Sequence, residues 1–213
     1  MEHIWSQRIR ALEDGYNDSY NAERAVDLRL LKRIPKPDSA NNLALDVGTL
    51  YPETPKLLAE RGWKIVCVDH DMEVCRRVAS IADSQKLPFL VVQCDAKQLP
   101  FKEECFGLIT DLATSVVTTD APKVIEAEMR TLRSGGSYLL VTNNRWTRGA
   151  GRELGRQRTA GGVHPRWGHF SPLSPLDLRR IVYRFGLKLD AMDSEVWSIH
   201  TTGFFRYTLC QIL

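Results

Sequence analysis

No run of apolar residues approaches the ~20 that a bilayer-spanning helix needs, and the opening Met1–Arg10 stretch is too polar for the apolar core of a secretory leader. A cytosolic protein with no membrane partner is expected. Cysteine is scarce: Cys67, Cys75, Cys94, Cys105 and Cys210 are odd in number and form no C-x-x-C pair. That excludes a disulfide framework and offers no zinc-ligand spacing, so no metal is expected and the thiols read as reduced. A strong charge of either sign is missing as well. Lys and Arg number 29 against 26 Asp and Glu, and a net +3 excludes a chain that is basic all over. The dinucleotide fingerprint G-x-G-x-x-G appears after none of the candidate strands, which argues against NAD.

What is present reads as one α/β domain. The 213 residues, 43% of them hydrophobic, suit a single soluble core. From Leu43 to Asn144 short apolar runs alternate with segments of helical period: LALDVG (43–48), KIVCVD (64–69), FLVVQCD (89–95), GLITDLA (107–113) and SYLLVTN (137–143). Each run is too short for a helix and rich in Val, Ile and Leu, as strands buried on both faces are. Between them Thr54 caps and Pro55 opens a helix that stops at Gly62, and a second begins after its cap Asp71. Asp120 caps a third, with Pro122 in its first turn, that closes at Gly135-Gly136. A fourth runs from Ser174 to Gly186, and LKLDAMDSEVW and GFFRYTLCQIL look like a closing strand pair. Residues 4–34 have helical spacing and are expected against the C-terminal edge of the sheet. The predicted fold is a Rossmann-like doubly wound sheet, mostly parallel with an antiparallel C-terminal strand. It forms a single domain over 1–213, with a helical segment at 1–40 and an Arg/Gly-rich lid or insertion at 143–172.

Ligands of open α/β sheets sit beyond the carboxyl ends of the strands, and here those ends carry acids. The first strand ends with Asp46 and Gly48, the second with Asp69, the third with Asp95. An acid after the second strand suits a ribose, because one carboxylate accepts from both vicinal hydroxyls. Singly, each has a plainer reading: Asp69 or Asp95 as a helix cap, Gly48 as a turn glycine. The ordered set, followed by two antiparallel strands, resembles the class I S-adenosylmethionine-dependent methyltransferases over about residues 43–213. Where that family reads D/E-x-G-x-G-x-G, this chain has Asp46-Val47-Gly48-Thr49-Leu50-Tyr51-Pro52, so only the first glycine remains. The resemblance implies S-adenosylmethionine as cofactor, with Gly48 and its neighbour Thr49 against the methionine part and Asp46 near the amino group. It implies Asp69 on the ribose, His70 beside the adenine, and Asp95 with Ala96 at the adenine edge. Asp111, at the end of the fourth strand, completes the cofactor set.

The fourth strand also bears on the acceptor. Asp111-Leu112-Ala113-Thr114 has neither the prolines nor the aromatic of the D/N-P-P-Y/F pattern that holds a planar nitrogen. The stretch ATSVVTTDAPKVIEAEMRTLRSGGSYLLV is similar instead to the small-molecule methyltransferases of the ubiquinone and menaquinone type, with Ser134 in place of a proline. If the acceptor is a hydroxyl or an acidic carbon, a base must reach its proton. The candidates are His164, His169, Asp111, Tyr16 and Tyr20. Between Asn143 and Gly186 lie nine arginines, no lysine and two acids, a net +7. Arginine's planar fork suits carboxylate and phosphate, which points to a small anionic acceptor held by Arg145, Arg148 and Arg166, with Trp146 as a pocket wall. The expectation is O- or C-methylation. Two other readings remain open, an RNA-associated methyltransferase or RNA-binding protein using the Arg-rich segment, and a non-catalytic cofactor-binding fold. The sequence is compatible with a homodimer.

Overall fold

In a computed structural model of the chain, the apolar runs are the strands of one sheet. The structure describes residues 31, 34–37, 42–50, 52–143 and 172–188, and the backbone of 194–199, 202–207 and 210–211. Strands β1 (Leu43–Val47), β2 (Lys64–Asp69), β3 (Phe89–Gln93), β4 (Phe106–Leu112) and β5 (Leu132–Asn143) all run parallel, with β1 seated between β2 and β4. β6 (Ser194–Ile199), β7 (Thr202–Tyr207) and β8 (Cys210–Gln211) complete an eight-stranded sheet of order β3-β2-β1-β4-β5-β7-β6, in which β7 and β8 pair antiparallel to β5. The order turns back between β1 and β4, so a crevice opens at their carboxyl ends.

Alternate residues along each strand feed two cores. Leu45, Val47, Ile109, Tyr138 and Leu140 pack under helices α3 (Ala121–Thr131) and α4 (Pro175–Arg184). Ala44, Ile65, Leu108, Leu139 and Val141 pack under α1 (Glu53–Glu60) and α2 (Met72–Gln85). Among the described residues, three of the four α-helices start where side-chain capping places them. The Asp71 side chain accepts from Glu73 N, that of Asp120 from Lys123 N, and Ser174 forms a reciprocal capping box with Asp177. The described cysteines Cys67, Cys75, Cys94 and Cys105 are free thiols, and burial pushes Cys75 and Cys94 up to about 11.

Several boundaries differ from the sequence expectation. Pro52, not Thr54, occupies the cap of α1, and Thr54 and Pro55 are buried within the helix. A proline serves anywhere in the first turn, where no carbonyl needs its missing N–H, so Thr-Pro does not fix the start. Helix α3 ends at Thr131 rather than at Gly135-Gly136, and Leu132–Gly136 instead begin β5 at an irregularity where Phe106 faces Leu132 and Leu108 faces Ser137. Strand β3 stops at Gln93, before Cys94 and Asp95. The described end of the N-terminal segment lies at the amino end of β2 rather than the carboxyl edge of the sheet. There Trp63 donates to Pro35 O and Arg61 to Ile34 O, while Leu31 and Ile34 are buried among Leu58, Trp63 and Ile65. The rest of that segment, and residues 144–171 of the expected lid, lie outside the described residues.

Candidate functional site

The acids predicted from the strand ends converge on the crevice, but each is held differently. Asp46 is buried in β1, directly across from Thr110 of β4. Its Oδ1 accepts from Thr110 Oγ1 at 2.5 Å and its Oδ2 from Thr49 Oγ1 at 2.7 Å. Burial raises its pKa to about 6 although both hydroxyls pull it down. The backbone beyond it is closed on itself. Gly48 N and Thr49 N both donate to Val68 O, at 2.7 and 3.0 Å, and Leu50 N donates to Gly48 O at 2.7 Å.

Gly48 has two reasons to be glycine. Its φ is +71°, a region that side chains disfavour. A Cβ placed there would also lie 2.0 Å from Thr114 Oγ1, which donates to Val47 O at 2.7 Å. The loop after β4 therefore packs directly on the loop after β1. Asp111 sets that packing: fully buried, it accepts from Thr114 N at 2.6 Å and from Ser115 N at 3.1 and 3.2 Å. Burial pushes it to about 6 as well, against those hydrogen bonds. In this geometry Asp111 anchors a turn, in which Ala113 has φ +72°, rather than presenting a base to an acceptor.

At the end of β2, Asp69 Oδ1 accepts from Asp71 N at 2.9 Å and lies 3.3 Å from His70 Nδ1. Its Oδ2 carries no hydrogen bond among the described residues, and the side chain keeps 10% exposure at the carboxyl end of β2. His70, half exposed, is held above its ordinary pKa first by the hydrogen bond to Asp69, with Asp71 and Asp95 adding to it. Asp95 accepts from Lys97 N and pairs with Lys97 Nζ at 3.4 Å, capping the one-turn helix that begins at Ala96. Gln93 Nε2 to His70 O at 3.0 Å and Cys94 N to Asp69 O at 2.9 Å tie the ends of β2 and β3 together.

The structure thus gathers Asp46, Gly48, Thr49, Asp69, His70, Asp95, Ala96 and Asp111 along the carboxyl ends of β1 to β4. Tyr16, Tyr20, Arg145, Trp146, Arg148, His164, Arg166 and His169 lie outside the described residues. Sequence reasoning missed Thr110 and Thr114, which complete the Asp46 and Gly48 contacts. Thr110 left a trace, a hydroxyl between Ile109 and Asp111 in an otherwise apolar strand run; Thr114 left none, because its partner is 66 residues away. It also missed Glu128, fully buried in α3, which accepts from Tyr138 OH at 2.6 Å through Oε2. Among the described residues its other oxygen has no partner, and burial raises its pKa well above the ordinary carboxylate value. Among the described residues no three His, Cys, Asp or Glu gather as metal ligands, and no helix is long and apolar enough to cross a membrane.

This arrangement suits a ligand with vicinal hydroxyls, for which Asp69 offers a free carboxylate oxygen. The family described as methyltransferase domain matches residues 45–140. A SAM-dependent methyltransferase of Methanosarcina mazei is 17% identical, covers 86% of this chain and 96% of its own, and superposes with a TM-score of 0.64. Geranyl diphosphate C-methyltransferase of Streptomyces coelicolor is 10% identical over 89% of this chain and 79% of its own, with a TM-score of 0.68. The YcgJ protein of Bacillus subtilis gives 16% identity, 85% and 94% coverage, and a TM-score of 0.66. Identities this low speak to the shared fold. Among curated proteins none matches the chain.

Proposed function

We propose that this chain, whose residues 45–140 match a methyltransferase domain, is an S-adenosylmethionine-dependent enzyme of the class I fold that methylates a small anionic acceptor at oxygen or carbon. S-adenosylmethionine supplies an already activated methyl group, which leaves the protein to position the partners and exclude water. Asp69 Oδ2 takes the ribose hydroxyls, with His70, Asp95 and Ala96 at the adenine side and Gly48 and Thr49 at the methionine side.

One observation carries the acceptor's charge. Leu173 N donates to Thr142 Oγ1 at 3.4 Å, so residues 144–171 leave and rejoin the domain at the carboxyl end of β5, two strands from the crevice's β1 wall. Six arginines, one glutamate and no lysine occupy that segment. Guanidinium forks tethered there suit a carboxylate or a phosphate. Arg145, Arg148 and Arg166 are assigned to that group, Trp146 to the pocket wall, and His164, His169 or Tyr20 to the acceptor's proton. Geranyl diphosphate, named for three of the structural neighbours, is an acceptor of this class. The stretch LRSGGSYLLV supports a place in the ubiquinone and menaquinone branch, and a cytosolic location follows from the same reading.

The test has two stages. Calorimetry with S-adenosylhomocysteine should show binding that Asp69→Ala weakens by ~1–3 kcal/mol, the cost of hydrogen bonds lost to a charged group. Transfer of a labelled methyl group should then favour prenyl diphosphates and carboxylates over their neutral alcohols and esters, with the preference falling in Arg145→Ala and Arg148→Ala. Equal turnover of charged and neutral acceptors would refute the anionic assignment.

A further inference from the structure

Helix α4 covers the sheet with one face, and its other face is unusual. Leu178 is buried, and Ile181, Val182 and Phe185 pack on the same core. Outward stand Leu176, 50% exposed, and Tyr183, 91% exposed, seven residues apart and so on one line of the helix. Exposed Arg179 lies on one side of that line, exposed Arg180 and Arg184 on the other. Lys188 is exposed just past the helix end. The acids facing this surface are Asp177, 3.7 Å from Arg180 and engaged in the capping box, and Glu126 of α3, which accepts from Arg184. Arg179 has no acidic partner among the described residues. Both paired arginines keep their side chains largely in solvent, 81% and 61% exposed.

A bare tyrosine ring between guanidinium groups matches the two chemistries of a nucleotide chain, a stackable base and a phosphate. We propose that the outer face of α4 binds single-stranded nucleic acid, with Tyr183 stacking on a base and Arg179, Arg180 and Arg184 on the backbone. A membrane surface fits this face less well. An interfacial helix buries a broad apolar face, whereas α4 turns all but two of its large apolar residues toward the sheet. The surface is distinct from the crevice, and its assignment does not depend on the acceptor.

Fluorescence anisotropy of the full chain with labelled oligouridylate and oligothymidylate of about 12 nucleotides tests it. Three phosphate contacts on a single strand give a slope near −2 in log affinity against log salt, so binding should weaken about 18-fold from about 50 to about 200 mM salt. Tyr183→Ala should weaken it at least about fivefold at either salt without altering the slope. Arg179→Ala with Arg180→Ala should flatten the slope until the same change in salt costs only about threefold. Tighter binding of one oligomer would tell RNA from DNA within the same proposal. S-adenosylhomocysteine affinity, read by calorimetry, should be unchanged in every variant, which keeps this result separate from the methyltransferase assignment. No binding to either oligomer, equal binding by wild type and variants, or retention on phosphatidylcholine and phosphatidylserine vesicles without oligomer binding would each overturn it.

Discussion

Asp46→Asn separates the shape of a buried carboxyl from its charge. Burial raises Asp46 from 3.8 to about 6 in the folded chain. An acid whose folded pKa is raised holds its proton more tightly when folded. Its contribution is therefore full below the unfolded value near pH 4, declines between about pH 4 and about pH 6, and is gone above. The rise corresponds to ~3 kcal/mol, of which ~2 kcal/mol falls between about pH 4 and about pH 7. Asparagine has the same shape, and the hydroxyls of Thr110 and Thr49 can either donate or accept, so the network survives without a titrating proton. Wild type should thus lose ~2 kcal/mol relative to Asp46→Asn as urea unfolding is stepped from about pH 4 to about pH 7. Asp111, raised chiefly by its own burial, remains in both proteins, and because the Asp46 charge is the smallest cause of its rise, most of its contribution cancels. Parallel stability curves over that range would show that Asp46 is solvated, and the burial argument would fail.

Three further substitutions probe the packing that shapes the crevice. Gly48→Ala should destabilise by ~2–4 kcal/mol, from positive φ and from a Cβ 2.0 Å from Thr114 Oγ1, and adding Thr114→Gly should restore the overpacking share; an unchanged urea midpoint for the single variant counts against both causes. Tyr138→Phe leaves neither oxygen of Glu128 bonded and should cost ~1–3 kcal/mol, which Glu128→Leu in the same chain should partly return; a cost below ~0.5 kcal/mol means another group serves Glu128. Ser174→Ala removes the hydroxyl arm of the capping box, leaving Asp177 to accept only from the backbone N–H of residue 174, and should cost ~1 kcal/mol, seen as a lower thermal midpoint by circular dichroism, whereas an unmoved midpoint would show that the backbone arm and the packing of Leu178 suffice to fix α4.

How far the sequence could be read follows the range of the interaction. Asp71, Asp120 and Ser174 were legible as caps because cap and target N–H are two or three residues apart. The identity of β1, β2 and β4 was legible too, since a strand buried on both faces has no polar alternation to confuse it, whereas β3 is an edge strand with Leu90 exposed. The end of α3 was not. Gly135 does take φ +73°, as a helix-terminating glycine would, but it does so in the irregular start of β5. One conformational demand has two structural settings, and the local sequence does not distinguish them.

The loop after β1 shows the same limit at the site itself. Its departure from the glycine-rich pattern is plain in the sequence, and Leu50 and Pro52 have definite places: Leu50 packs against the core under α1 and α2, and Pro52 caps α1. What the residue types did not reveal is that Gly48 N, Thr49 N and Leu50 N already have backbone partners. A glycine-rich loop recognises a ligand by bringing free N–H groups close to it. Here those donors are internally satisfied, and the one surviving glycine accommodates Thr114. Recognition must then rest more heavily on side chains at the strand ends, above all on the free oxygen of Asp69. The strand-end acids were therefore a better guide to the site than the glycine motif, because β2 holds Asp69 in place whatever path the first loop takes.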